Sequence, residues 1–184
     1  MDDSLQDHGR RAAENAARTS YGRLLAYLAR QWRDVAAAED ALADAFRRAL
    51  EIWPTEGVPS NPDAWLIVVA RNHLRNSARA RKTREALAQS LLVLTPTETE
   101  DMPKIADKRL ELMFVCGHPA IDAAARTPLM LQTVLGLTAE RIASSFLVSP
   151  DTMGKRLSRA KARIKDIGIA FEVPDKSELG ARME

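Results

Sequence analysis

The chain has 184 residues, 46% hydrophobic and 28% charged, with a formal net charge of +2. That balance excludes a disordered chain and allows one domain or two small ones. No apolar run is long enough to span a bilayer. The N-terminus "MDDSLQDHGR" is too polar and acidic for a signal peptide. A single cysteine, Cys116, rules out an internal disulfide and fits a reducing cytoplasm.

Gly and Pro are sparse and Ala, Leu, Arg and Glu plentiful, which favours helix, and no stretch alternates convincingly as a strand. Residues 1–19 are a tail or a first helix, and two helices are expected from about 20 to 52. In the first of these, Tyr21, Leu24, Leu25 and Leu28 keep a helical spacing. In the second, Ala38, Leu42, Ala45, Phe46, Ala49 and Trp53 do so. "PTEGVPSNP" should then break the helix. Asn61, Pro62 and Asp63 form a strong start signal for a helix to about Arg81: a cap, a proline at the first position and an acid at the positive end. Its inward face is expected at Trp65, Leu66, Val69 and His73 or Leu74, and its outward face at Arg71, Asn72, Arg75, Asn76 and Arg79.

Residues 85–106 read as a flexible linker, in which "TPTETEDMPK" has no apolar period. "DKRLELMFVCGH" and "DAAARTPLMLQTVLG" are apolar helices, the second ending at Gly136. Thr138 caps a short helix that turns Ile142, Ala143 and Phe146 inward. After the turn, Ser149, Pro150 and Asp151 open a longer one. Met153, Leu157, Ala160 and Ile164 form its inward stripe, leaving Thr152, Lys155, Arg156, Ser158, Arg159 and Arg163 to solvent. After Pro174, "DKSELGARME" reads as the first turns of another helix, so the natural chain or its relatives are expected to continue beyond Glu184.

The distribution of charge says more than its sum. Six basic residues and no acid lie between Arg71 and Arg84, and six more basic residues between Lys155 and Lys165. Two such stripes form a footprint for a polyanion. A short helix, a tight turn and a basic second helix are the signature of a helix-turn-helix, whose second helix fits the major groove. Acids gather on the helix before the first stripe, at Glu39, Asp40 and Asp44. Asp40 and Asp44 are four apart and share a helix face.

These stretches resemble the extracytoplasmic-function sigma factors of bacterial RNA polymerase. "AEDALADAFRRALEIWPTEGVPSNPDAWLIVVARNHLRNSARARKTR" looks like their region 2, and "LTAERIASSFLVSPDTMGKRLSRAKARIK" like their region 4. The likeness covers about residues 20–173: region 2 at 20–84, region 4 at 107–173, and a tail at 174–184. "GVPSNPDAWL", "CGHPAID" and "DIGIAFEVPD" resemble the subgroup that usually carries a C-terminal helical-repeat extension. That subgroup reads Cys-Cys-His-Pro where this chain has Cys116, Gly117, His118 and Pro119, which weakens a redox or metal role. Cys116 and His118 are therefore read as packing and helix-end residues, and no cofactor or metal is expected.

The resemblance implies an all-α protein that binds core RNA polymerase and promoter DNA and catalyses nothing itself. An anti-sigma protein or the C-terminal extension would be a further partner. Region 2 would dock on the polymerase through Glu39, Asp40 and Asp44. The loop "PTEGVPSN", with Glu56 and Asn61, would capture a flipped −10 base. Arg71, Asn72, Arg75, Asn76 and Arg79 would hold the opening strand. Thr152, Lys155, Arg156, Ser158, Arg159 and Arg163 would read the −35 element. Trp65 suits either a stacking wedge or the core, and its apolar stripe favours the core. The main rival is a stand-alone helix-turn-helix regulator, which leaves the acidic helix and the first basic stripe without a task. A protein-binding adaptor leaves both basic stripes unexplained. No phosphate loop, metal-spaced cluster or nucleophile–base set supports an enzyme.

Overall fold

The structure, a computed structural model, describes residues 2–86, 105–175 and 179. Most of the expected linker and of the final segment lies outside them. The described residues form seven helices and no strand, so the chain is all-α. They are α1 (Asp2–Trp32), α2 (Val35–Glu56), α3 (Pro62–Ala86), α4 (Arg109–Cys116), α5 (Ala123–Leu135), α6 (Ala139–Ser145) and α7 (Pro150–Ile167).

α1 begins well before residue 20 and is one helix of 31 residues. Ala12, Ala13, Ala16 and Ala17 favour helix there, and Ala13 and Ala16 are buried. Arg33, with φ 52°, ends α1 in the left-handed conformation, and its N–H donates to the Ala29 carbonyl at 2.8 Å. Asp34 then caps α2 by accepting from the Ala37 N–H at 3.0 Å. α2 differs from expectation at its far end. It passes through Pro54 and stops two residues later, where Gly57, at φ 94°, donates to the Trp53 carbonyl at 3.1 Å. A proline in the last turn loses only one intrahelical bond, and here its ring is buried. α3 starts as expected, with the Asn61 side chain accepting from the Ala64 N–H at 3.0 Å, and runs five residues beyond Arg81.

α1, α2 and α3 pack together, and α4, α5, α6 and α7 form a second group. α1 also packs on α4 and α5, and α2 on α7. One continuous cluster of buried side chains joins the two groups, from Leu24, Leu28, Leu42 and Trp53 to Leu112, Leu129, Ile142, Met153 and Leu157. Two glycines permit the close crossings. A Cβ on Gly9 would lie 2.5 Å from the Pro54 nitrogen, and one on Gly22 would collide with the Val134 carbonyl oxygen. Gly22→Ala should therefore destabilise the protein by about 1–3 kcal/mol despite alanine's better helix propensity, because α1 and α5 must separate. Urea unfolding measures this, and unchanged stability would mean that α5 yields freely.

The inward face of α3 is rotated from the expected one. Ala64, Leu66, Ile67, Ala70 and Leu74 are buried, whereas Trp65 and Val69 are only half-buried. His73 is half-buried too, so Leu74 is the core residue of that pair. Arg71, expected outward, is 8% exposed and belongs to the packed side. In the short helix α6, Ile142 and Ala143 are buried as expected, but Phe146 is exposed.

Candidate nucleic-acid interface

α7 is built as its pattern predicts. Ser149 accepts from the Thr152 N–H at 3.2 Å, Pro150 takes the first position, and Gly168 closes the helix at φ 65°. Met153, Leu157, Ala160 and Ile164 are all buried. Between α6 and α7 the chain turns through residues 146–149. Leu147 sits in that turn at φ 53°, 94% exposed. The Val148 N–H donates to the Ala143 carbonyl at 3.1 Å, so Leu147 occupies the left-handed end position that glycine usually takes. Leu147→Gly should stabilise the chain by about 0.5–1 kcal/mol, since a strained residue is relieved and almost no packing is lost. A lower melting temperature would show that the exposed leucine is packed in solution.

Thr152, Lys155, Arg156, Arg159 and Arg163 line one open groove of about 580 Å³. Ala120, Ile121, Asp122 and Ala125 form its other wall. Arg156 is positioned by a hydrogen bond from its guanidinium to the Ala124 carbonyl at 3.3 Å, and Lys155 pairs with Asp151 at 2.8 Å. Ser158 is exposed but lies outside the groove. Five of the six residues expected at this surface thus converge, and Ser158 points elsewhere.

On α3, Asn72, Asn76 and Arg79 are exposed and Arg75 is half-buried. Asn72 and Asn76 border a groove of about 350 Å³ between α2 and α3, together with Arg48, Val69, His73 and Ser77. Arg48 escaped the sequence reading, although it sits one turn from Asp44, and His73, expected as a core candidate, borders the groove instead. Glu56 and Asn61 are exposed at the two ends of the α2–α3 loop. Behind the loop, Trp53 is fully buried and meets the edge of Trp65, their ring centroids 5.4 Å apart at 67°. Asp63 anchors the loop's end by accepting from Ser20 Oγ at 3.0 Å and pairing with Arg23.

The three acids near the start of α2 that were singled out in the sequence have different surroundings. Asp40 is exposed. Asp44 is held by Arg47 at 2.8 Å, Arg48 at 3.1 Å and His73 Nδ1 at 3.3 Å. The Arg47 hydrogen bond, foremost among these contacts, keeps its carboxyl below the usual range. Glu39 instead turns toward α7 and pairs with Lys161 at 2.5 Å. Burial raises its pKa, and Lys161 opposes that rise. Lys165 pairs with Asp34 at 2.8 Å. Neither lysine was singled out in the sequence.

Cys116 is fully buried, its Sγ 3.5 Å from Thr133 Oγ1, and burial pushes its thiol up to about 12. The folded chain should therefore resist a thiol-specific reagent at pH 8 and react once unfolded; rapid labelling of folded protein would contradict this. His118 Nδ1 accepts from the Ala120 N–H at 3.0 Å, a helix-end role. No group of three or more potential metal ligands occurs among the described residues, and no helix there is long and apolar enough to cross a membrane.

The helices α2 and α3, with the loop between them and the second half of α1, carry a match to a known family. Residues 17–84 match Sigma-70 region 2. The chain is also 39% identical, over 163 residues, to an uncharacterized protein of Rhizobium meliloti (strain 1021), a match spanning 85% of this chain and 38% of that protein. It is 28% identical over 138 residues to the probable RNA polymerase sigma factor RfaY of Xanthomonas campestris pv. campestris, spanning 73% of this chain and 34% of that protein. The chain thus covers well under half the length of either curated relative. No solved structure matches. Sigma-70 region 2 belongs to a class of proteins that act by binding rather than by catalysis. Region 2 includes the acidic residues of α2, the α2–α3 loop and the exposed polar face of α3.

Proposed function

We propose that this chain is a cytoplasmic sigma factor of the extracytoplasmic-function type, which binds core RNA polymerase and directs promoter-specific initiation. The observation that carries the reading is a pair of polar, cation-bearing helix surfaces, one on α3 within region 2 and one on α7. A regulator with one reading helix needs only the second. In this reading Asp40, Glu39 and Asp44 on α2 dock on the polymerase. Glu56 and Asn61 in the loop take a flipped −10 base, whose unstacking costs a few kcal/mol and so requires a shaped site. Asn72, Arg75, Asn76 and Arg79 hold the separated strand, and Arg71 supports them from the packed side. The groove residues of α7 enter the −35 major groove, with α6 and the turn forming the rest of a helix-turn-helix. Ser158 serves the backbone beside the groove.

The test is reconstituted transcription. Core RNA polymerase should start specifically at a promoter only when this chain is added. Tight binding of a DNA site by the chain alone, with no promoter-dependent transcript, would replace this reading with a stand-alone regulator.

A further inference from the structure

One acid of the docking helix has its partner on α7. Glu39 and Lys161 meet at 2.5 Å with side chains only 14% and 13% exposed. The Lys161 ammonium also donates to Gln132 Oε1 at 3.1 Å, which ties α5 into the contact. At the edge of the same contact, Asp34, the cap of α2, takes Lys165. Both anions thus come from the first turns of α2, and both cations from the last turns of α7. Neither lysine lines the groove between α7 and the residues that open α5. The contact therefore leaves that groove open while it occupies Glu39.

A buried ion pair stabilises little beyond the desolvation it costs, but it fixes register, and removing one partner is unfavourable. Such a pair is easily exchanged for another of equal geometry. Asp40, next to Glu39 and exposed, gives an approaching cationic surface its first contact. That surface reaches Glu39 only by displacing Lys161.

We propose that Asp34 and Glu39 have two alternative cationic partners, Lys165 and Lys161 in the free chain and a basic surface of core RNA polymerase in the complex, so that docking releases α7 from α2. This rests on the reading of α2 as the docking helix. The distance between the two DNA-binding helices is then set by the polymerase rather than by the chain.

The test uses the full chain labelled at Ala17→Cys on α1 and Ala162→Cys on α7, both exposed positions, with Cys116 buried. Core RNA polymerase should lengthen the distance between the labels. The K161Q/K165Q double variant should show the longer distance without polymerase. It should also bind core enzyme about fivefold tighter, because the competent state is no longer a minor fraction. If that variant does not fold by circular dichroism, Lys165→Gln alone, at a more exposed residue, should still bind about twofold tighter. Binding by the unsubstituted chain with unmoved labels, or unchanged affinity of a folded variant, overturns the proposal alone. No binding to core enzyme by the unsubstituted chain overturns the docking reading along with it.

Discussion

Trp53→Ala should lower stability by about 3–5 kcal/mol, the range for truncating a large buried aromatic. For a chain of this size that is a fall of roughly 10 °C in melting temperature. Trp53 is fully buried at the end of α2 and braces Trp65, so the cavity would open beneath the α2–α3 loop. Trp53→Phe separates packing from hydrogen bonding. The indole N–H finds no hydrogen-bond partner among the described residues. Phenylalanine should therefore cost less than about 1.5 kcal/mol. Thermal unfolding by circular dichroism reads both changes. Equal losses for the two variants would mean that the indole N–H is satisfied in solution.

The second large effect concerns α7. Arg159→Ala should weaken binding to a −35 promoter in complex with core enzyme by about 1–3 kcal/mol and relax the choice of base at one position. Lys155→Ala should weaken binding to all sequences alike and reduce the slope of log affinity against log salt by about 1, the mark of a lost phosphate contact. Fluorescence anisotropy over a salt series distinguishes the two. Arg156→Ala should act partly through structure, because its guanidinium also ties α7 to the Ala124 carbonyl. A salt slope unchanged for every one of these variants would remove α7 from the DNA interface.

The local features were legible because they obey local rules. The caps at Asn61, Thr138 and Ser149, the closing Gly136 and the four-residue stripe of α7 all follow from near-neighbour chemistry, and all are present. The face of α3 was misread by about one residue. Ala64, Ile67, Arg71 and Leu74 keep a three-four-three spacing, so Arg71 holds a core position that its charge disguised. Phe146 was misread for the opposite reason, since an apolar residue at the end of a short helix need not be covered. The extension of α1 to Asp2 depends on its packing, through Gly9, against the end of α2. The Glu39–Lys161 pair could not be read at all. Its members are 122 residues apart, and each looks like an ordinary charge on a solvated helix.

The crossing of α1 and α5 at Gly22 has a consequence for synthesis of the chain. Gly22 and Val134 are 112 residues apart in the chain. At about 5–20 residues per second, the nascent α1 waits roughly 6–20 s before the helix that seals its glycine notch has been made. During that interval Leu24, Leu25 and Leu28 depend on α2 and α3 for whatever cover they have. The order of the helices along the chain therefore makes the first group the scaffold on which the second assembles, and a variant that weakens α2 or α3 should reduce the yield of folded protein in the cell more than its equilibrium stability implies.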